Sequence, residues 1–289
     1  MSTHNPHFGP GGNCEAFQEV YKGKSMYAPQ WVAQNGLSAY EYEAGKGIMA
    51  SDETLMLIGE EARKHNIHMS LHAPYFISLS SVDPEKRANS VRYIADSLRA
   101  AELLGAKIIV VHTGSTAKMA REEALKLAAS TIDMVLTQIE DNGVTIGLET
   151  MGKLNQLGTL EEVIDLCKMS ARLAPVVDFG HLNARSCKET YTTLESYQHI
   201  FESIAEGLGD SFARYLHCHF SRIEYTQAGG EKRHLTLADT AWGPEPEPLM
   251  QLLCDMKLSP TIISESAGTQ TADAKYMQHC FERICQNEH

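Results

Sequence analysis

A chain of 289 residues with 25 Lys and Arg against 37 Asp and Glu carries a formal charge of −12, which leaves no electrostatic footprint for nonspecific phosphate binding. Its 43% hydrophobic content suffices for a sizeable core, and no apolar run approaches the roughly 18 residues that a membrane span requires. Seven scattered cysteines, never in a Cys-x-x-Cys pair, argue against a disulfide framework or a thiolate zinc knuckle; with no apolar secretory segment in residues 1–10, they predict a cytoplasmic, reduced protein.

Along the chain, short β-branched apolar segments alternate with longer segments of helical period, the pattern of repeated βα units on a parallel sheet. Strands are expected near residues 7–9, 37–42, 67–72, 108–112, 145–149, 175–178, 215–219 and 261–265, although Phe8-Gly9-Pro10-Gly11-Gly12 reads equally well as a loop. Ser51-Asp52-Glu53 opens a helix with an N-cap and an acidic first turn, and Gly105 closes another after Leu104. From Pro84 onward, Ile94, Leu98, Ala101 and Leu104 share one helical face, as do Leu125, Ala128, Ile132, Val135 and Ile139 in the next helix. No linker or charge block divides the chain. Eight units in residues 1–289 therefore predict one (β/α)8 TIM barrel domain, a monomer.

The chemistry is concentrated where those strands end. The third ends at His72, the fourth at His112, the fifth at Glu149 and the sixth at Asp178 with His181 just beyond; the seventh ends at His219 and the eighth at Glu265. Side chains alternate across a strand, so these last positions can share the barrel mouth, where barrel enzymes carry their sites. Any one such histidine alone reads as an ordinary packing residue. Six strands delivering ionisable groups to one level read differently, because buried charge without a partner is costly. Imidazoles and carboxylates without thiolate suit Zn2+, Mn2+ or Fe2+, and several carboxylates together suggest more than one ion. His219, nearer the rim, is preferred as a ligand over His217, which reads as a supporting or core residue, and Cys218 points away. His4, His7, His65, His68, His199, His279 and His289 read as surface or packing residues.

Five stretches carry a resemblance: 71–79 (Leu-His-Ala-Pro-Tyr-Phe-Ile-Ser-Leu), 111–115 (Val-His-Thr-Gly-Ser), 148–150 (Leu-Glu-Thr), 177–181 (Val-Asp-Phe-Gly-His) and 264–266 (Ser-Glu-Ser). From the second strand to the end, the chain resembles the endonuclease IV family of apurinic/apyrimidinic endonucleases, within the xylose-isomerase-like barrels. The resemblance implies that His72, His112 and Glu149 hold a first ion and that Glu149 bridges to a second completed by Asp178, His219 and Glu265. It further implies a third ion on His181 with Glu231 and His234. The family's Asp-x-His is here a Glu with one more residue before the His, so two ions or three remain open. Glu149 and Glu265 are the implied catalytic carboxylates, and Tyr75 matches a position that contacts substrate.

The implied activity is metal-dependent hydrolysis of damaged DNA 5′ to an abasic site. The stretch Tyr40-Glu41-Tyr42-Glu43-Ala44-Gly45-Lys46-Gly47 lacks the family's basic wedge, although Arg185, Arg222, Lys232 and Arg233 near the rim are candidates for phosphate contacts. A sugar isomerase or epimerase on the same barrel is the competing reading, favoured by the acidic charge. A barrel whose rim residues form only hydrogen-bonded networks is the third.

Overall fold

The computed structural model describes residues 5–287, so the readings of His4 and His289 lie outside the described residues. Eight parallel strands form the frame: β1 (His7–Pro10), β2 (Ala39–Glu43), β3 (His68–His72), β4 (Ile108–His112), β5 (Thr145–Glu149), β6 (Leu173–Asp178), β7 (His217–Phe220) and, after a hairpin, β10 (Thr261–Ser264). The hairpin, absent from the sequence reading, is β8 (Ile223–Thr226) with β9 (Gly230–His234). Around the barrel run α1 (Glu15–Tyr21), α2 (Ala28–Gln34), α3 (Asp52–Lys64), α4 (Pro84–Leu104), α5 (Arg121–Gln138), α6 (Leu160–Cys167), α7 (Phe179–Ser186), α8 (Leu194–Leu208), α9 (Asp210–Arg214), α10 (Pro246–Asp255) and α11 (Gln270–Asn287). No helix among the described residues is long and apolar enough to cross a membrane.

The expected helix signals act as their chemistry requires. Ser51 caps α3 by accepting from Thr54 N at 3.3 Å. Gly105 ends α4 in the left-handed conformation, φ 71°, a geometry that glycine adopts without a Cβ penalty. The first segment, open between strand and loop, is a strand paired with β10. Closure falls between β1 and β2, where Ser38 N donates to Phe8 O at 3.1 Å and Gly12 N donates to Glu41 O at 2.9 Å. Among the described residues, that leaves the eight-stranded sheet without a free edge.

Strand alternation separates two interiors. Leu71, Ile109, Val111, Leu148, Val177, Cys218 and Ile262 face the helices and join the main apolar core with Leu55, Ile58, Ile94, Leu98 and Ile204. Their neighbours point into the barrel, and toward its C-terminal end these become ionisable: Glu41, His72, Glu149, Asp178, His217 and His219 are all buried. Burying the helix-facing set supplies the apolar stabilisation that tolerates so polar a centre.

One expectation is corrected here. Cys254 and Cys285 form a disulfide, whereas the sequence predicts scattered, reduced cysteines that form no disulfide framework. They are 31 residues apart, but α10 packs along α11 and brings their Cα atoms to 5.9 Å, a proximity that spacing in sequence does not reveal. Cys14, Cys167, Cys187, Cys218 and Cys280 remain free.

Candidate metal centre

Strand register sets the centre laterally. His112 lies beside Glu149 across β4 and β5, Asp178 beside His219 across β6 and β7, and Glu43 beside His72 across β2 and β3. Each neighbouring pair sits one strand spacing apart, about 4.8 Å. Glu149 occupies the middle. Its Oε2 is 3.2 Å from His112 Nε2 and 3.6 Å from His72 Nε2, and its Oε1 is 3.0 Å from His219 Nδ1. Glu265 Oε1 is 3.3 Å from the same Nδ1.

Asp178 shows how local folding fixes a site residue. It ends β6 and is also the N-cap of α7, its Oδ1 accepting from His181 N at 2.7 Å. The cap places His181 one helical turn later, with Asp178 Oδ2 3.4 Å from His181 Nδ1. The other side of His181 meets the hairpin, where Glu231 Oε2 is 3.5 Å from its Nε2. Glu231 comes this close because residue 152 is glycine: a Cβ there would stand 2.7 Å from Glu231 Cβ and 3.1 Å from His181 Cδ2.

Three groups named from the sequence are thus assembled: His72, His112 and Glu149; Glu149, Asp178, His219 and Glu265; and His181, Glu231 and His234. Within each group the potential ligand atoms lie within 4.8 Å of one another. Tyr75 is 55% exposed and lies at the mouth, its ring centroid 5.0 Å from that of His72 and 5.6 Å from that of His112. Gly45 makes room for it, since a Cβ would stand 2.3 Å from the Tyr75 ring. The mouth cavity holds about 490 Å³ and is lined by Glu43, Tyr75, Lys153, Gln156 and Gln270 as well as members of all three groups; Asp178 and His219 are buried and do not line it.

Glu41 and Glu43 enter the sequence reading only as a missing basic wedge, yet both belong to the centre. Two apart on β2, they face the barrel interior, the same alternation that identifies the other strand-end residues. Glu41 Oε2 lies 2.8 Å from His217 Nε2 and accepts from Ser70 Oγ at 2.7 Å; Glu43 Oε2 accepts from Tyr75 Oη at 2.8 Å. His217 is buried against Glu41, which it shares with His219.

The four basic residues proposed for phosphate are otherwise engaged. Arg185 donates to the carbonyls of Met151, Lys153 and Gln156, at 2.8 Å for Lys153. Arg222 is buried and paired with Glu245 at 2.7 Å, and Lys232 and Arg233 both reach Glu224.

Electrostatics show how much positive charge the centre demands. Burial pushes Glu149 upward, but contacts with His112, His181, His219 and His72 outweigh it and hold its carboxyl well below the usual range. Burial drives Glu265 well above that range, against the pull of His219. For His219 and His181 burial works downward, yet Glu265 and Glu41 in one case and Asp178 and Glu149 in the other raise both well above an ordinary imidazole. Glu149 Oε2 and Asp178 Oδ2 are buried with no aligned hydrogen-bond donor. A divalent cation held by the groups that contain Glu149 and Asp178 would satisfy such oxygens, and the nitrogen and oxygen donors are those zinc, manganese and iron accept. The residues fit the metals.

Imidazoles and carboxylates gathered at the C-terminal ends of six strands define a barrel with a candidate metal site at its mouth. The chain belongs to the xylose isomerase-like TIM barrel family, whose model matches residues 29–279. It is 30% identical over 279 residues to the uncharacterized protein MJ0133 of Methanocaldococcus jannaschii, covering 96% of this chain and 97% of that protein. It is 28% identical over 185 residues to the probable endonuclease 4 of Mycoplasma pneumoniae, spanning 61% of each. Among solved structures, the fold is similar to endonuclease IV from Thermus thermophilus, with TM-score 0.71, 18% identity and coverage of 98% and 100%. It is also similar to a D-tagatose 3-epimerase-like protein, with TM-score 0.68, 19% identity and coverage of 90% and 93%.

Proposed function

We propose that this protein is a zinc-dependent phosphodiester hydrolase that cleaves DNA 5′ to abasic sites. The observation that carries the reading is the third group, His181 with Glu231 and His234, contiguous with the two that share Glu149. Three adjoining groups suit a reaction that spreads charge over several phosphate oxygens better than one that polarises a single carbonyl. Similarity to the probable endonuclease 4 proteins supports the same reaction class.

His72, His112 and Glu149 would hold a first cation, Glu149 with Asp178, His219 and Glu265 a second, and His181, Glu231 and His234 a third. When bound, the cations supply an activated water and neutralise phosphate charge. Glu265, which lines the mouth beside His219, would orient the attacking water. Tyr75, exposed beside His72 and His112, offers a flat surface against which an unpaired nucleotide packs. A monomer in the cytoplasm is the setting that goes with this reading.

A nicking assay on a duplex with one abasic site, with zinc added and Asp178→Ala as control, tests the proposal. Cleavage by the unaltered protein alone, leaving a 3′-hydroxyl, is expected; cleavage no greater than the control rejects it. The second reading, a sugar isomerase or epimerase, is favoured by Glu43 in the mouth and by the engagement of all four rim cations. Salt separates the two: duplex affinity falls steeply between 50 and 200 mM salt if phosphates are contacted, whereas ketose turnover does not.

A further inference from the structure

We infer that Glu41 is a positioning residue that orients His219, so that its Nδ1 and not its Nε2 meets the cation shared with Asp178 and Glu265. The inference rests on the proposed metal centre and adds a residue to it from β2, one of the two strands from which the sequence reading took no ligand.

Three histidines of the centre show how a ring nitrogen is committed. His72 Nδ1 is 2.8 Å from Ala73 O, and His181 Nδ1 is 2.9 Å from Thr150 O. A carbonyl only accepts, so each Nδ1 carries the proton and each Nε2 is left with a lone pair for a metal. His219 is turned the other way. Its Nδ1 faces Glu149 and Glu265 at 3.0 and 3.3 Å, while its Nε2 faces the barrel interior.

There, 2.9 Å away, lies Glu41 Oε1. The two atoms are buried, not aligned as a hydrogen bond, and have no other hydrogen-bond partner. Among the described residues, the other is the ion-pair partner within reach of each. When Nδ1 gives its lone pair to a cation, the ring proton must reside on Nε2, and Glu41 Oε1 is the acceptor that meets it. Glu41 takes the part that backbone carbonyls play for His72 and His181, and as a carboxylate it also makes the imidazole a better donor to the metal.

Glu41 is itself anchored. Its Oε2 accepts from Ser70 Oγ at 2.7 Å and lies 2.8 Å from His217 Nε2, which leaves Oε1 free to turn to His219. Register supplies both anchors: Ser70 is opposite Glu41 across β2 and β3, and His217 is two residues before His219 on the same face of β7. Four inward residues from three strands thus form one assembly beneath the mouth.

The test is zinc titration of chelator-stripped protein, with stoichiometry from elemental analysis and affinity from calorimetry, for the unaltered chain and for Glu41→Gln. A weakening of about 10- to 100-fold at one zinc site, with the remaining sites unchanged, is expected. Equal affinities in the two proteins overturn the inference and leave the metal centre standing. Absence of stoichiometric zinc from the unaltered chain overturns the metal centre, and the inference with it. Should Glu41→Gln fail to fold, imidazole proton–nitrogen correlation spectra of the zinc-loaded unaltered protein decide, with His219→Gln for assignment. Zinc on Nδ1 and a proton on Nε2 of His219 support the inference, and zinc on Nε2 overturns it.

Discussion

Glu231 and His234 are three residues apart on β9, yet both face His181. The pairing of β8 with β9 runs Tyr225 to Glu231 and then Glu224 to Arg233, so Lys232 is an extra residue in a β-bulge. A bulge sets two residues against one and restores the face that the added residue would have reversed. Glu231 and His234 therefore occupy the relation that two residues apart have on a regular strand, and the longer spacing does not break up the group. Lys232 and Arg233 turn outward together to Glu224.

The bulge makes a length prediction. Deleting Lys232 leaves a regular strand with Glu231 and His234 still on one face, and bound zinc is expected to stay at the unaltered stoichiometry. Inserting one alanine after Arg233 turns His234 away and is expected to remove one zinc per chain. Elemental analysis of both variants distinguishes the outcomes, and equal loss in both refutes the face argument.

Asp178 has two duties that substitution separates. Asp178→Asn retains an oxygen to cap α7 but removes the charge near His181 and His219, so its thermal stability is expected to match that of the unaltered metal-free chain while zinc binding weakens by tenfold or more. Asp178→Ala loses the cap as well, at a cost of about 1 kcal/mol. Melting curves of the metal-free proteins, beside zinc titrations, read the two effects independently.

Metal uptake is expected to expel protons. Burial would lower His72, but Glu43 and Glu149 outweigh it and raise its pKa to about 10, and His181 and His219 are likewise raised. At neutral pH these imidazoles hold protons that must leave before nitrogen can bind a cation, so zinc affinity falls as pH falls. Calorimetric zinc titrations in buffers of different ionisation enthalpy are expected to show release of roughly two to three protons per chain. Heats independent of buffer would contradict the charge state assigned to the metal-free centre.

At the opposite end of the barrel, His7 and His68 stack with ring centroids 3.6 Å apart. Burial, and then the neighbouring His68, lowers the His7 pKa from 6.5 to about 4. The unfolded chain therefore binds the extra proton first, and stability contributed by neutral His7 is lost as pH falls from about 6.5 toward 4. His7 is only half-buried, so screening reduces the effect to about 1 kcal/mol. Denaturant unfolding at pH 7 and pH 5 is expected to show that His7→Gln loses less stability on acidification than the unaltered chain.

Much of this architecture is written locally. Eight strands and the residues at their ends were legible because alternation along a strand, N-caps and glycine stops depend on neighbours within a few residues, and because barrels carry their chemistry at strand C-termini. His72, His112, Glu149, Asp178, His219 and Glu265 could be picked out this way. Tertiary structure alone decided the rest. Closure of β1 on β2 turns Glu41 and Glu43 from an acidic loop signal into members of the centre, and the bulge at Lys232 rejoins Glu231 with His234. Packing of α10 on α11 joins Cys254 to Cys285, and Arg185 and Arg222 are engaged by groups 32 and 23 residues away. In each case the partner is distant in sequence, and strand register and helix packing, which no local pattern encodes, determine which groups meet.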